Sequence, residues 1–316
     1  MKHAKSSRAK ARRSRRNPWR GIALGTLGAA LLIFAGWSAF GRGQAAIDFP
    51  DLHGMGFNAD GRQLIVAVHD GLRVFEDGRW SNPNLPAHDY MGYSPSDEGF
   101  YSSGHPHPSS GMQNPLGLVK SSDGGRRLVR LGFEGESDFH LMGVGYFSHA
   151  IYVFNPAPNS RLAPGLHYSL DDGTTWNQSA LQGITARPIQ LAVHPTEADT
   201  VAIATEAGLF ISSDSGNTVE LVGEASPVTA VSFSPKGKEL LFGYQSLYAY
   251  SLASKQVTLL TAPEISSQDA IAYIAMNPQN PDEIALATFE KDIYLSENSG
   301  QSWDQIAVEG KGSGGN

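Results

Sequence analysis

The chain of 316 residues contains no cysteine. That absence excludes a disulfide framework, a Cys-ligated zinc or iron–sulfur site, a thiol nucleophile and a lipidated cysteine anchor. Charge is also scarce, at 17% of residues, and it is unevenly placed. Residues 1–42 hold 10 of the 24 Lys and Arg and no Asp or Glu, so the other 14 face all 31 acids, a net of −17 over the rest of the chain. A body this acidic has little surface for neutralising phosphates, which excludes nucleic acid as a partner. Several catalytic signatures are missing as well: no G-x-S-x-G elbow, no dinucleotide fingerprint and no phosphate-cradling glycine loop ahead of a helix. Helical periodicity is rare after residue 50. The chain nevertheless has 41% hydrophobic residues, enough for a substantial core, and its 35 Gly and 18 Pro make it rich in turns.

One long uncharged run stands out. Gly21 to Phe40 is 20 residues without a charge, the length of a helix that spans about 30 Å of hydrocarbon. Trp19 and Trp37 sit near its ends, and nine basic residues precede it. The expectation is a basic cytoplasmic segment (1–20), a transmembrane anchor (21–40), a linker (41–49) and an acidic body outside the cell membrane. Two alternatives stay open. Gly43-Gln44-Ala45 offers a small-residue cleavage site, which would make the protein secreted, and Ser14-Arg15-Arg16 has the start of a twin-arginine signal. Gly21 and Gly25 form a G-x-x-x-G pair that can serve as a dimerising face.

The body repeats. Short runs of Val, Ile, Tyr and Phe alternate with turns of Gly, Asp, Asn, Ser and Pro, an all-β pattern. Each unit reads as an apolar strand, a turn of N-P or S-P type, a second strand, a small turn, a G-L-F/Y strand, an S-x-D-x-G turn and a last strand. Starts near residues 53, 88, 138, 188, 228 and 271 give six units of four strands, the period of a six-bladed β-propeller. A seventh blade could be concealed in the long units 88–137 or 138–187. The propeller is expected over 50–309, followed by a flexible tail (310–316).

The turn motif is specific. Ser169, Asp171, Gly173 and Trp176 form a full S-x-D-x-G-x-T-W turn, and Ser296, Asn298, Gly300 and Trp303 repeat it with Asn for Asp. Ser121, Asp123 and Gly125, and Ser212, Asp214 and Gly216, match without the Trp. Asp accepts backbone N–H groups inside the turn, Gly supplies a positive φ, and Trp packs between blades, so these residues are expected to be structural. On these motifs the chain resembles the Asp-box (BNR) propellers, a group that includes sialidases, the sortilin ectodomain and photosystem II assembly-factor propellers. The stretches from His88 to Tyr93, Gly99 to Pro106, Asn114 to Leu118 and Asp138 to Gly143 resemble a bacterial membrane-anchored family labelled glycosyl hydrolase-like or sortilin-like. The resemblance covers residues 50–310 and implies the fold more than an activity. The sialidase arrangement of three arginines, a Tyr/Glu pair and an Asp acid is not matched. The body has only Arg62, Arg73, Arg79, Arg126, Arg127, Arg130, Arg161 and Arg187 after Arg42, and no early R-I-P motif.

The histidines carry the functional signal. Eight of ten fall between residues 53 and 167. His53, His88 and His140 mark the starts of three innermost strands, while His69, His105 and His107 lie at connections between second and third strands. Those positions share one face of a propeller, so the spacing converges His53, His69, His88, His105, His107 and His140 on one mouth of the channel. Such a cluster suits zinc or copper. Asp70, Asp89 and Asp138 are candidate outer partners or ligands, and Glu206 and Glu290 are candidate rim residues. His149, His167 and His194 read as structural. A competing carboxylate-pair hydrolase would draw on Asp97, Glu98, Glu134, Glu136 and Asp138, but no spacing marks a pair and no catalytic residue is assigned. The expected function is binding or assembly at the envelope, with a protein or glycan partner outside the cell and a metal at the mouth. A glycoside hydrolase acting on envelope or extracellular glycans is the alternative.

Overall fold

The computed structural model describes residues 46–314. The apolar segment 21–40, its basic flank and the cleavage alternatives lie outside the described residues. Among the described residues no helix is long and apolar enough to cross a membrane.

Six antiparallel sheets are built in chain order, each strand beside the next. Blade one runs through Leu52–Phe57, Leu64–Val68, Gly71–Glu76 and Arg79–Ser81. Blade two comprises Asp89–Ser96, Gly99–His105, Leu118–Ser121 and Val129–Gly132. Blade three comprises Met142–Val144, Ile151–Asn155, Gly165–Ser169 and Asn177–Gln178. Blade four comprises Pro188–Val193, Val201–Thr205, Gly208–Ser212 and Glu220–Val222. Blade five comprises Ala230–Phe233, Glu239–Gly243, Leu247–Ser251 and Val257–Leu260. Blade six begins with Ile271–Met276, Ile284–Thr288, Ile293–Ser296 and Asp304–Val308. The long second and third units hold four strands each, so the count is six. Their extra length goes into loops, such as the one carrying the 3-10 turn Pro108–Ser110.

The ring closes where composition suggested linker and tail. Lys311–Ser313 pairs with both Asp304–Val308 and the N-terminal strand Ala46–Asp48, making blade six a six-stranded sheet. The expected boundaries at 49 and 310 are therefore too tight. Three-residue strands in glycine-rich sequence carry no period of their own and are defined only by the neighbour they pair with. Across the seam, Trp80 is fully buried, donates from Nε1 to Ile306 O at 2.7 Å, and meets Phe49 edge-on at 4.6 Å.

Apolar clusters fill the gaps between neighbouring blades. One joins blades one and six through Met55, Phe57, Val66, Ala285 and Ile293, and another joins blades two and three through Tyr101, Leu118, Phe139 and Ile151. The four S-x-D/N-x-G turns brace the outer ends with one shared geometry. In each, the serine hydroxyl accepts the glycine N–H at 2.8–2.9 Å and donates to the Asp or Asn oxygen. That oxygen also accepts the N–H of Arg127, Thr175, Thr218 or Ser302. Trp176 lies against Phe133 of the preceding blade, and Trp303 donates to Thr261 O of the preceding blade.

Candidate functional site at the channel mouth

The innermost strands of all six blades line a central cavity of about 200 Å³. Gln190 crosses part of it, accepting the N–H of Val231 at 2.6 Å and lying 3.4 Å from Ala272 O. First strands start, and second strands end, at the same end of this channel, so blade starts and second-to-third turns share one mouth.

Local irregularity aims the first histidine. In blade one the pairing register slips between Leu52 and Gly54, leaving His53 as the extra residue of a bulge. A bulge turns its unpaired residue out of the ladder, here toward the channel that His53 lines. Blades four and six have the same slip, with Ile189 and Ala272 in that place. Asp89 opens blade two and is the ladder partner of His105. Gly104, at φ 111°, makes that approach feasible, since a Cβ there would sit 2.0 Å from Asp89 O. Phe139 N–H donates to Ser103 Oγ at 2.9 Å, which ties the segment carrying Asp138 and His140 to the end of the same strand.

Two groups result. His53 Nε2 and His69 Nδ1 stand 3.4 and 3.0 Å from the two oxygens of Asp89. His105 Nε2 and His140 Nε2 stand 3.1 and 2.5 Å from Asp138 Oδ2. In each group, three ligand atoms lie within 4.8 Å of one another. The Asp89 side chain is only 6% exposed, yet neither of its oxygens has a hydrogen-bond partner, nor do the buried His53 Nε2 and Asp138 Oδ1. The imidazoles approach Asp89 without the alignment of an N–H donor. Burial pushes the Asp89 carboxyl up, against the pull of His53, His69 and His105. Burial likewise pushes His53 down, opposed by Asp89.

The other sequence candidates stand elsewhere. His88 is buried, accepts the N–H of His107 on Nδ1 at 3.0 Å and packs edge-on against Tyr90. Burial, then the neighbouring His107, pushes its imidazole down. His88 and His107 share a separate cavity of about 450 Å³ with Pro86, Ser109 and Arg126. Asp70 pairs with Arg73 at 2.6 Å. Glu206 and Glu290 are exposed at the corresponding turns of blades four and six, outside both groups. His149 lies 2.6 Å from Asp97, His167 2.8 Å from Ala163 O and His194 3.0 Å from Gly237 O. Asp89 and Asp138, which the sequence offers as outer partners or ligands, each stand at the centre of a group. The signal available was adjacency: His88-Asp89 and Asp138-Phe139-His140 set a carboxylate beside a histidine at a blade start.

Among solved structures, the chain resembles the GH74 enzyme from Niastella koreensis at 15% identity and a TM-score of 0.55, over 82% of this chain and 45% of that one. It resembles the GH74 xyloglucanase from Xanthomonas campestris at 16% identity and a TM-score of 0.50, over 84% and 47%. The extracellular domain of BT4673 from B. thetaiotaomicron aligns at 10% identity and a TM-score of 0.51, over 83% and 35%. The chain spans less than half the length of each of these proteins. At such identities the likeness shows the fold alone, a β-propeller. No protein-family model and no curated protein matches the chain.

Proposed function

We propose that this chain is a binding module, an Asp-box-type propeller tethered outside the cell membrane by segment 21–40, that holds zinc or copper at its histidine-bearing mouth and engages a protein or glycan partner there. The observation that carries this reading is Asp89. A buried carboxylate with no hydrogen-bond partner and two imidazole nitrogens at 3.0 and 3.4 Å is costly as it stands and favourable around a cation. The donors are imidazole and carboxylate with no thiolate, which suits a divalent ion over Cu(I).

The competing reading is a glycoside hydrolase, which draws on the fold shared with the GH74 enzymes. Four of its five candidate carboxylates are individually engaged elsewhere, and the fifth, Asp138, stands between His105 and His140. Asp97 lies 2.6 Å from His149, Glu98 3.2 Å from Lys120 and Glu134 3.0 Å from Arg130. Glu136 accepts the N–H of Ser160 at 2.9 Å, and the Ser160 contacts hold its carboxyl below the usual range. A general acid needs the opposite shift, so Glu136 does not suit that role.

The test is elemental analysis of the untagged full-length protein beside a His53→Ala/His69→Ala/His105→Ala variant. A near-stoichiometric transition metal is expected in the parent and not in the variant, with circular dichroism unchanged. A folded parent without metal after incubation with zinc and copper would overturn the reading.

A further inference from the structure

Two three-ligand groups at one mouth raise the question of how many ions they hold and what completes the coordination. The six ligand atoms do not form one group: they divide into His53, His69 and Asp89, and His105, Asp138 and His140. The two are nevertheless joined. Asp89 of the first and His105 of the second face each other across one antiparallel ladder, with Cα atoms about 5 Å apart.

Exposure is graded across the pair in a consistent direction. The carboxylates lie beneath, with side chains 6% and 14% exposed, while His69 and His140 stand at the rim at 64% and 63%. Three protein ligands leave at least one position open on an ion that takes four or more. Because the carboxylates occupy the inner side, the open positions face out of the mouth. Two dications against two carboxylates and four neutral imidazoles leave excess positive charge there, although the surrounding body is acidic. A ligand that satisfies both charge and geometry presents two oxygens from one anionic centre to two neighbouring ions.

We infer that the two His–Asp–His groups form one paired centre that holds two divalent ions side by side and binds a phosphate-type oxyanion across them. This rests on the metal reading above and adds its stoichiometry and the chemical class of its ligand.

The experiment strips the full-length protein with chelator, reloads it with zinc and measures bound zinc by elemental analysis. Equilibrium dialysis then measures uptake of micromolar inorganic phosphate. His69→Ala and His140→Ala each remove one exposed ligand, one from each group, with little risk to folding, and circular dichroism checks it. The parent is expected to hold two zinc ions and one phosphate. Each variant is expected to hold one zinc ion at the same free zinc concentration and to bind phosphate at least tenfold more weakly. Two zinc ions without phosphate uptake would overturn the oxyanion inference and leave metal binding standing. One zinc ion in the parent, or phosphate uptake undiminished in both variants, would overturn the paired centre. A folded parent that takes up no zinc would overturn the metal reading itself.

Discussion

Asp89 and Asp269 are both buried aspartates at the mouth of the same channel, and they are treated in opposite ways. Asp269, ahead of blade six, accepts the N–H groups of Ala270 and Glu290 at 2.7 and 3.1 Å. Asp89, at the start of blade two, accepts none and faces two imidazoles. The contrast extends to the halves of the ring. Where blade one carries His53 in its bulge, blades four and six carry Ile189 and Ala272. Where blade two has Gly104 opposite Tyr90, blades four and six have Ala204 and Ala287 opposite Gln190 and Tyr273. Blades four to six satisfy their polar groups internally, as a scaffold should. Blades one to three hold the unpartnered buried side-chain atoms found among the described residues, and four of those seven, on His53, Asp89 and Asp138, belong to the two groups at the mouth, where a ligand would compensate them.

The sharpest way to break this contrast is to make blade two look like blades four and six. Gly104→Ala installs the residue found in blades four and six, but its Cβ would lie 2.0 Å from Asp89 O. It is expected to cost about 3 kcal/mol or more in urea unfolding, because both strain and backbone displacement are unavoidable. The reverse change, Ala204→Gly, should cost only about 1 kcal/mol. Equal costs would mean that the approach of Asp89 to the second strand is not tight.

A smaller effect distinguishes the two aspartates. Asp269→Ala removes the acceptor of two N–H groups, the buried one of Ala270 and the part-buried one of Glu290, and should cost about 1–3 kcal/mol. In chelator-treated protein, Asp89→Asn removes an uncompensated buried charge and should leave Tm unchanged or raise it. A Tm that falls as far for Asp89→Asn as for Asp269→Ala would show that Asp89 is satisfied without a cation.

The smallest effect concerns the outer turns, where blade six supplies a natural control. The N–H and hydroxyl of Thr175 hold the Asp171 carboxyl below its ordinary range. A depressed pKa contributes stability above the unfolded value, near 4, and loses it as pH falls through the folded value. Asn298 makes the same backbone bonds without titrating. The stability gap between the parent and Asp171→Asn should therefore be present at pH 6 and shrink below about pH 4. Urea midpoints measured across pH check this, and a gap independent of pH would remove the charge from the account.

Much of the fold was legible because its causes are local. Strand alternation and the Ser-to-Asp and Ser-to-Gly bonds of the turns lie within five residues, so Ser169 to Gly173 announces its geometry in sequence. The closing strands were not legible, because Ala46–Asp48 and Lys311–Ser313 become strands only by pairing across the whole chain. The mouth was legible in part. Repeat position brought His53, His69, His105 and His140 to one mouth, but it also drew in His88, whose ring accepts the backbone N–H of His107, and His107, whose ring pairs with Ser109.

By itself, then, the sequence determined the architecture, the blade count within one and the face on which histidines gather, because a propeller repeats a local unit with a fixed direction. Only the tertiary structure decided which histidines meet which carboxylate. That depends on a one-residue bulge at His53, a close approach allowed by Gly104 and the burial of Asp89 between neighbouring blades. Each is a contact between distant segments, and the energy of a buried carboxylate is set by what surrounds it in space and not by its neighbours along the chain.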